Sequence, residues 1–224
     1  MKILFKYATR SRPHWFQETI QTYLSMLSGM HQYEFVITCD TDDATMNNKK
    51  MISFMKKHSL YYYFGNHKTK IEAINADMNA ILDWDICVVV SDDMIPVKQD
   101  FDISIVEEMT QSFPDTDGVL HFDDGLCNSN YSKDRTITLS ILGRLFYNRF
   151  GYIYHPLYKS FYCDTEFTEV AQKMKKVKFV PEVIIKHEWS GGANSKDALY
   201  RRNSSLGKLD RTIYNTRKKE GFSK

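Results

Sequence analysis

The chain has 224 residues, of which 42% are hydrophobic, 14% aromatic and 26% charged, and its net charge is +2. This length suits one domain with a sizeable core, and the apolar content excludes a disordered chain. Hydrophobic runs fall far short of the roughly 20 residues that span a bilayer, and the four cysteines lack CxxC pairing. We therefore expect reduced thiols, a cytoplasmic location and no transmembrane anchor.

The first half of the chain alternates between β-rich segments and segments whose apolar residues recur at helical spacing. Strands are predicted at residues 2–7, 34–39, 60–64 and 85–90, and helices at 14–28, 45–58 and 69–82. The last of these strands is almost continuously apolar, which is typical of a strand buried on both faces of a parallel sheet. This order predicts an α/β fold with a Rossmann-like, mostly parallel sheet flanked by helices, and ligands beyond the carboxyl ends of its strands.

The second half has a less regular pattern. Helices are predicted at 101–113 and 164–175, and short strands at 118–122, 136–142, 177–180 and 183–186. Asp164 or Thr165 would cap the second of these helices. We therefore expect a smaller half with mixed strands, after which the apolar pattern thins out from residue 195.

Carboxylates directly follow three of the predicted strands. They are Asp40, Asp42 and Asp43 after the second strand, Asp92 and Asp93 after the fourth, and Asp123 and Asp124 after the strand at 118–122. Such groups can be solvated turn residues or helix caps, but neighbouring carboxylates at a sheet edge repel unless a cation or hydrogen-bond donors compensate. Mg²⁺ and Mn²⁺ bind oxygen ligands of this kind, and often substrate phosphates too. For Asp92 and Asp93, which follow the buried strand, we favour a functional role.

A set of segments, taken in the order in which they occur along the chain, resembles the glycosyltransferases of the GT-A fold, close to the large family 2 group. KYATRSRP at 6–13 resembles the first strand and P-T-x-N-R-P turn of that family, with Ala8 where proline is usual. CDTDD at 39–43 resembles the D-D-x-S-x-D in which an aspartate contacts the nucleotide base. HKTKIEAINADM at 67–78 resembles the K-x-x-A-x-N-x-G/A stretch that borders the nucleotide, and VVVSDDM at 88–94 sits at the metal-binding D-x-D motif.

Two later segments resemble the acceptor side of the same family. FYCDTEF at 161–167 is similar to its acidic motif at a helix start, and KHEW at 186–189 supplies a late histidine. The resemblance implies a metal-dependent, inverting glycosyltransferase. Such an enzyme moves a sugar from a nucleotide-sugar donor, with UDP favoured, to an acceptor hydroxyl.

The resemblance also implies roles for individual residues. The donor-binding set is Ala8, Thr9, Arg10, Arg12, Asp40, Asp42, Lys70, Asn75, Ser91 and Asp92. Because Ser91 takes the place of the first aspartate of the motif, the metal-ligand role falls on Asp93, with His187 as the second ligand of Mn²⁺ or Mg²⁺. Asp164 best matches the catalytic base, and Glu166 is the second choice. The acceptor-binding set is Asp123, Asp124, Tyr162, Trp189, Arg201 and Arg202.

The small net charge conceals two unlike regions. Residues 196–224 carry nine Lys/Arg and three Asp/Glu, a net charge of +6, and the rest of the chain carries −4. We therefore divide the chain into a glycosyltransferase domain at 1–195, with a nucleotide-sugar half at 1–95 and an acceptor half at 96–195, and a basic segment at 196–224. A basic segment can be a solvated tail, or it can neutralise a polyanion or an anionic membrane surface.

The acceptor is predicted from this basic segment. It lacks the Trp/Phe/Leu face of an interfacial helix, which favours a phage-type transferase that modifies a hydroxymethylated base in duplex DNA, in the host cytoplasm. A polysaccharide or lipid-linked glycan is the alternative. Two other classes fit less well. A nucleotidyltransferase would usually carry a Gly-rich loop where this chain has ATRSRPH, and a nucleic-acid-binding module would not explain the acidic strand ends.

Overall fold

The computed structural model describes residues 1–125, 135–188 and 198–223. The strands in these ranges are β1 (Lys2–Ala8), β2 (Gln32–Asp40), β3 (Tyr61–Gly65), β4 (Ile86–Val90), β5 (Met94–Pro96), β6 (Val119–Phe122), β7 (Ile141–Gly143), β8 (Val177–Val180) and β9 (Ile185–His187). The helices are α1 (Pro13–Met26), α2 (Lys49–Lys57), α3 (Lys70–Asn75), α4 (Phe101–Ser112), α5 (Arg144–Asn148), α6 (Cys163–Lys173), α7 (Ala198–Ser204) and α8 (Gly207–Lys219).

Seven strands form one sheet in the order β3-β2-β1-β4-β7-β6-β8, and β7 alone among them runs against its neighbours. The central strand β4 is buried along its whole length and β1 along most of it, as their apolar sequences predict. β5 and β9 form a separate antiparallel pair. This mostly parallel sheet, with helices beside it and a small second sheet, confirms the predicted α/β fold.

Hydrophobic side chains of β1 alternate between two core clusters. Ile3, Phe5 and Tyr7 belong to one cluster and Leu4 to the other, because successive side chains of a strand point to opposite faces. Helix α1 begins at Pro13, a residue whose fixed φ suits the first turn, and it packs against the first cluster. The sheet is thus held rigid on both faces, and its strand ends are fixed in space.

Helix α3 ends at Asn75, whereas the apolar spacing predicts a helix through residue 82. Asp77 has a left-handed backbone with φ of 59°, and its carboxylate accepts a 2.6 Å hydrogen bond from Thr38 Oγ1. This contact competes with helix continuation, since aspartate tolerates the left-handed region better than most residues. Met78 and Ile81 are nevertheless buried, so their spacing reflects core packing in turns.

Other predicted boundaries also shift. Helix α2 begins at Lys49 rather than near residue 45, because Asn48 is its N-cap and accepts from Met51 N at 3.1 Å. The strand predicted at 136–142 is reduced to β7. Helix α6 takes Tyr162 as its N-cap, with no side-chain capping hydrogen bond, so Asp164 lies in the first turn rather than at the cap.

The described part of the basic segment folds against the rest of the chain. Helix α8 packs on α6, and its Asp210 and Arg217 are buried. Few apolar residues follow residue 195, yet the described part of this segment is helical, because α8 packs partly through buried charged side chains. Within the described ranges, no helix combines the length and the hydrophobicity needed to cross a bilayer.

Candidate active site

A cavity of about 460 Å³ opens at the carboxyl ends of β1, β2 and β4. Its floor includes residues that directly follow these strands, and its other walls come from α3, the start of α6, the end of β9 and α7. The site residues that the sequence predicts and that line it are Ala8, Thr9, Arg10, Arg12, Asp40, Lys70, Ser91, Asp92, Asp93, Asp164, His187 and Arg202. The fold thus gathers most of the predicted donor set, the predicted metal pair and the predicted base around one space.

Asp93 and His187 face each other in this cavity. Nε2 of His187 lies 3.5 Å from Oδ2 of Asp93. The β5–β9 pair brings them together, because His187 is the register partner of Met94 and Glu188 N donates to Asp93 O at 2.7 Å. Burial alone would raise the pKa of Asp93, but the hydrogen bond and charge of His187, with Ser91 and Lys70, hold it well below its usual value.

This pair fits a divalent cation as a partial ligand set. Two ligands about 2.1 Å from one cation stand roughly 3.0 Å apart at a right angle, close to the observed separation. Among the described residues no cluster of three or more His, Cys, Asp or Glu forms a complete protein cage. Mg²⁺ in proteins is often held by one or two carboxylates, with substrate phosphates and water as its other ligands.

Asp92 lies beside this pair but faces the core. Its Oδ1 accepts from Tyr7 Oη at 2.8 Å and from Thr9 Oγ1 at 3.1 Å, and Arg12 Nη1 lies 3.9 Å from Oδ2. Burial raises the pKa of Asp92 to about 7, against the lowering effects of Tyr7, Arg12 and Thr9. Asp92 therefore ties the end of β4 to that of β1 and holds the loop that carries Asp93.

A second polar group occupies the end of β2. Asp40 accepts from Arg10 Nη1 at 2.7 Å through Oδ2, and its Oδ1 lies 3.0 Å from Nδ1 of His67. Arg10 also donates to the exposed Asp42, at 2.6 Å and 3.0 Å. The cavity wall here therefore offers a carboxylate, an imidazole and a guanidinium within one hydrogen-bonded group, with Asp42 just outside it.

Asp164 also lines the cavity, from the first turn of α6. Its Oδ1 accepts from the backbone N–H of Thr165 at 2.8 Å. Burial raises the pKa of Asp164, opposed by that hydrogen bond and by the charges of Lys70 and His187. Lys70 also lowers the pKa of Asp93, so one lysine lies within electrostatic reach of both carboxylates.

Several predicted site residues with described positions do not line the cavity. They are Asp42, Asn75, Asp123, Asp124, Tyr162, Glu166 and Arg201. Trp189 lies outside the described residues.

The structure argues most clearly against Glu166, which the sequence gives as the second choice for the catalytic base. It is buried, accepts from Tyr158 Oη at 2.7 Å, and pairs with Arg217 through Nη2 at 2.8 Å. It lies two positions beyond Asp164, and on a helix such i, i+2 neighbours point in different directions. Its carboxylate is therefore engaged in the interior and is not presented to a substrate.

The other residues outside the cavity have structural contacts. The amide of Asn75 accepts from Ile153 N at 3.0 Å and from Tyr154 N at 3.1 Å. Tyr162 stacks on Tyr214, with 5.4 Å between ring centroids. These two residues therefore join α3 and α8 to neighbouring segments.

The two carboxylates after β6 do not line the cavity, but Asp124 contacts two residues that do. Asp124 accepts from Thr138 Oγ1 at 2.7 Å and, through its carbonyl, from His187 N at 2.8 Å. Both of these partners line the cavity. Asp123 accepts from Gly125 N at 2.8 Å, a contact within its own turn.

Sequence reasoning missed several lining residues. His67 follows β3, which pairs with β2, so His67 lies at the same edge of the sheet as Asp40. The strand order could therefore have identified it as a site residue, whereas the resemblance of this segment to family 2 indicates Lys70. Thr138 was placed inside a predicted strand. Ser160 and Phe161 precede α6, and their part in the cavity wall depends on how the loop is held.

The sequence matches no protein-family model and no curated protein sequence. The structure is similar to residues 1–349 of S. aureus TarS, with a TM-score of 0.61 and 12% identity over 83% of this chain and 60% of that chain. It is also similar to the mannosyltransferase PcManGT from Pyrobaculum calidifontis in complex with GDP-Man and Mn²⁺, with a TM-score of 0.60 and 12% identity over 85% and 58% of the two chains.

The fold is of the GT-A type. TarS 1–349 in complex with UDP-GlcNAc is a further structure of this kind, with a TM-score of 0.60 and 12% identity over 86% of this chain and 62% of that chain. At such identities the likeness establishes the GT-A fold alone. The chain spans about three fifths of the length of these structures.

Proposed function

We propose that this chain is a glycosyltransferase that uses a nucleotide-sugar donor and a divalent cation. The observation that carries the proposal is the convergence of Asp93, His187 and Asp164 on one cavity that also holds Arg10, Arg12 and Lys70. Two carboxylates and a histidine come from distant parts of the chain, and the cations beside them suit a diphosphate. Our sequence-based resemblance to family 2 points to the same chemistry.

The donor would occupy the part of the cavity nearest β1, β2 and β4. Asp40 and His67 offer polar atoms to a nucleobase, and Arg10, Arg12 and Lys70 offer charge to a diphosphate. UDP is the favoured nucleotide, because the resemblance leans to it and because TarS is seen with UDP and UDP-GlcNAc. The Mn²⁺ and GDP-Man bound to PcManGT support the metal and nucleotide-sugar classes more broadly.

Asp93 and His187 would hold Mn²⁺ or Mg²⁺ beside the diphosphate. The bound cation supplies positive charge where negative charge grows on the leaving diphosphate. Ser91 and Asp92 support this position from the same loop, since Ser91 Oγ donates to Asp93 Oδ1 and Asp92 fixes the loop to β1. Lys70 adds a second positive charge on the α3 side.

Asp164 would act as the general base of an inverting transfer. Its carboxylate takes the proton of the acceptor hydroxyl while the acceptor oxygen bonds to the anomeric carbon. The bond from that carbon to the diphosphate oxygen breaks, and the electron pair leaves with the nucleoside diphosphate. A positioned base typically contributes about 10²–10⁴-fold to a rate, and the presence of Asp164 in the wall of the same cavity supports this role.

The acceptor we propose is a hydroxymethylated base in duplex DNA, which would place the protein in a cytoplasm that contains such DNA. Helix α7 brings the exposed Arg201 and Arg202 to the cavity side, and Arg202 lines the cavity. Lys208 and Arg211 are exposed at the start of α8. A polysaccharide or a lipid-linked glycan is the alternative acceptor, and DNA affinity at low salt separates the two.

A donor screen tests the enzyme class directly. Thermal unfolding of the protein would be followed with UDP, GDP and CMP, and with UDP-GlcNAc and GDP-mannose, each with and without Mn²⁺. We expect one nucleotide diphosphate to raise the melting temperature only when the cation is present, because binding to the folded state alone stabilises it. If no nucleotide shifts the transition at millimolar concentration, the proposal is wrong.

A further inference from the structure

Helix α8 directs two buried charged side chains toward the beginning of α6. Asp210 is 0% exposed and Arg217 is 7% exposed. The two residues lie about two turns apart on α8, and so on one face of it. Charges are rarely buried unless they are paired and hydrogen-bonded, so their partners indicate what this helix does.

Asp210 binds the loop that precedes α6. Its Oδ1 accepts from Lys159 N at 2.9 Å, and its Oδ2 accepts from Ser160 N and Phe161 N, each at 2.8 Å. One carboxylate thus satisfies three consecutive backbone N–H groups. Ser160 and Phe161 line the cavity, so Asp210 determines the course of a stretch of the cavity wall.

Arg217, on the same face of α8, binds the first turn of α6 through Glu166. Its Nε donates to Glu166 Oε2 at 2.8 Å and its Nη2 donates to Oε1 at 2.8 Å, a two-pronged arrangement that fixes direction as well as distance. Tyr158 Oη donates to the same carboxylate at 2.7 Å. Glu166 is therefore immobilised two residues beyond Asp164.

The beginning of α6 depends on these contacts because it lacks a side-chain cap of its own. Its N-cap, Tyr162, has a left-handed backbone with φ of 63° and makes no capping hydrogen bond through its side chain. Further along, Lys218 Nζ donates to Glu169 at 2.8 Å. Helix α8 thus contacts the loop before α6 and two successive turns of it.

We propose that Asp210 and Arg217 are positioning residues, through which α8 holds the beginning of α6 and thereby aims the Asp164 carboxylate into the cavity. This inference rests on the proposed function, since Asp164 is the proposed base. A displacement of about 1 Å in a reacting group can lower a rate roughly 100-fold. Loosening either contact therefore reduces turnover far more than it reduces binding of the donor, whose proposed contacts lie on other elements.

The experiment compares Asp210→Asn and Arg217→Lys with the matched controls Glu220→Gln and Lys219→Met, which alter exposed charges on or beside the same helix. Amide hydrogen exchange, measured without nucleotide, follows the segment 159–168. Affinity for UDP with Mn²⁺ is measured by calorimetry. Turnover is measured as release of UDP from UDP-GlcNAc to water at 20 °C, per folded molecule as judged by circular dichroism.

We expect faster exchange at 159–168 in both variants, UDP affinity within about twofold of the wild type, and UDP release at least about tenfold slower. The controls should match the wild type in all three measurements. Should Asp210→Asn fail to fold, the milder Arg217→Lys carries the same comparison. A double variant that also carries Glu166→Gln should be no slower than Arg217→Lys alone, because both changes act through one contact.

Two results would overturn the inference in distinguishable ways. Wild-type release of UDP by folded Asp210→Asn and Arg217→Lys would remove the positioning role and leave the proposed function intact. Absence of binding of every nucleotide and nucleotide sugar in the donor screen by the wild-type protein would remove the proposed function, and the positioning role with it. Hydrogen exchange remains informative in the second case, since it reports on the α6–α8 contact without a ligand.

Discussion

His187 and Asp93 come from opposite halves of the chain, yet Nε2 of one lies 3.5 Å from Oδ2 of the other. The contact exists because β9 returns to pair with β5, beside the loop that ends β4. The two side chains meet only because β5 and β9 pair with each other. Substitutions in this pair therefore test the proposed cation site, to which both halves of the chain contribute a residue.

Replacing either member of this pair should abolish cation-dependent binding of the nucleotide. For Asp93→Asn and His187→Ala we expect affinity for UDP in the presence of Mn²⁺ to fall at least about tenfold, while affinity without Mn²⁺ changes little. Calorimetric titration with and without chelator measures both. Glu188→Gln, which removes an exposed neighbouring charge, serves as the control. Equal Mn²⁺-dependent affinity in wild type and Asp93→Asn would rule out Asp93 as a ligand.

Asp164→Asn should separate turnover from donor binding. The amide cannot accept the acceptor proton, so the rate constant of transfer should fall about 10²–10⁴-fold, whereas the affinity for UDP with Mn²⁺ should remain within about twofold. Steady-state kinetics and calorimetry on the same preparation check the two quantities. Asp115→Asn is a suitable control, because that carboxylate is exposed and lies outside the cavity. Undiminished transfer by Asp164→Asn would refute the assignment.

The basic residues of α7 should govern binding of duplex DNA. Replacing Arg201 and Arg202 together with glutamine should weaken binding and reduce the slope of log affinity against log salt by about two, one for each lost phosphate contact. Fluorescence anisotropy with a duplex that contains 5-hydroxymethylcytosine measures both. Lys56→Gln with Lys57→Gln, on α2, is the charge-matched control. If the wild type does not bind this duplex at low salt, a polysaccharide or lipid-linked glycan becomes the favoured acceptor.

Lys6 should make stability depend on pH. It is buried in β1, its Nζ hydrogen-bonds Thr38 Oγ1, and burial lowers its pKa from 10.5 to about 8. Between these values the unfolded chain holds the proton more tightly, so the free energy of unfolding rises with pH. The contribution is absent below pH 7 and reaches about 2 kcal/mol by pH 9.5.

Chemical denaturation at the two pH values tests this linkage. Lys6→Met should lose that increment, whereas the exposed Lys57→Met should retain it. The comparison isolates Lys6, since the buried tyrosines and cysteines are present in all three proteins. An increment in Lys6→Met equal to that of the wild type would contradict the depressed pKa.

The sequence predicts the donor side of this structure better than the acceptor side, for a physical reason. Asp40 and Asp93 follow strands whose apolar patterns are strong, and parallel strands bring their carboxyl ends to one edge. The position of His67 required the strand order as well. Only the family resemblance ranks Asp164 above Glu166 on the sequence. Their structural difference depends on Arg217, a long-range partner without a local pattern.

The end of α3 shows a second limit. Met78 and Ile81 keep helical spacing, yet Asp77 leaves the helical conformation because Thr38, on a neighbouring strand, offers it a hydrogen bond. Tertiary contacts override local propensity there, as they commonly do. The same holds for α8, where the buried Asp210 and Arg217, beside the partly buried Ile213 and Tyr214, join a helix to the domain.

The reversed direction of β7 has a consequence for how this scaffold can change. β6 ends and β7 begins at the same edge of the sheet because the two strands are antiparallel neighbours, and Thr138, which shortly precedes β7, lines the cavity. Substitutions at or beside Thr138 should therefore change this part of the cavity wall without displacing β1, β2 or β4, which lie elsewhere in the sheet. For the proposed glycosyltransferase, this is the position at which acceptor preference can change while the proposed donor contacts stay as they are.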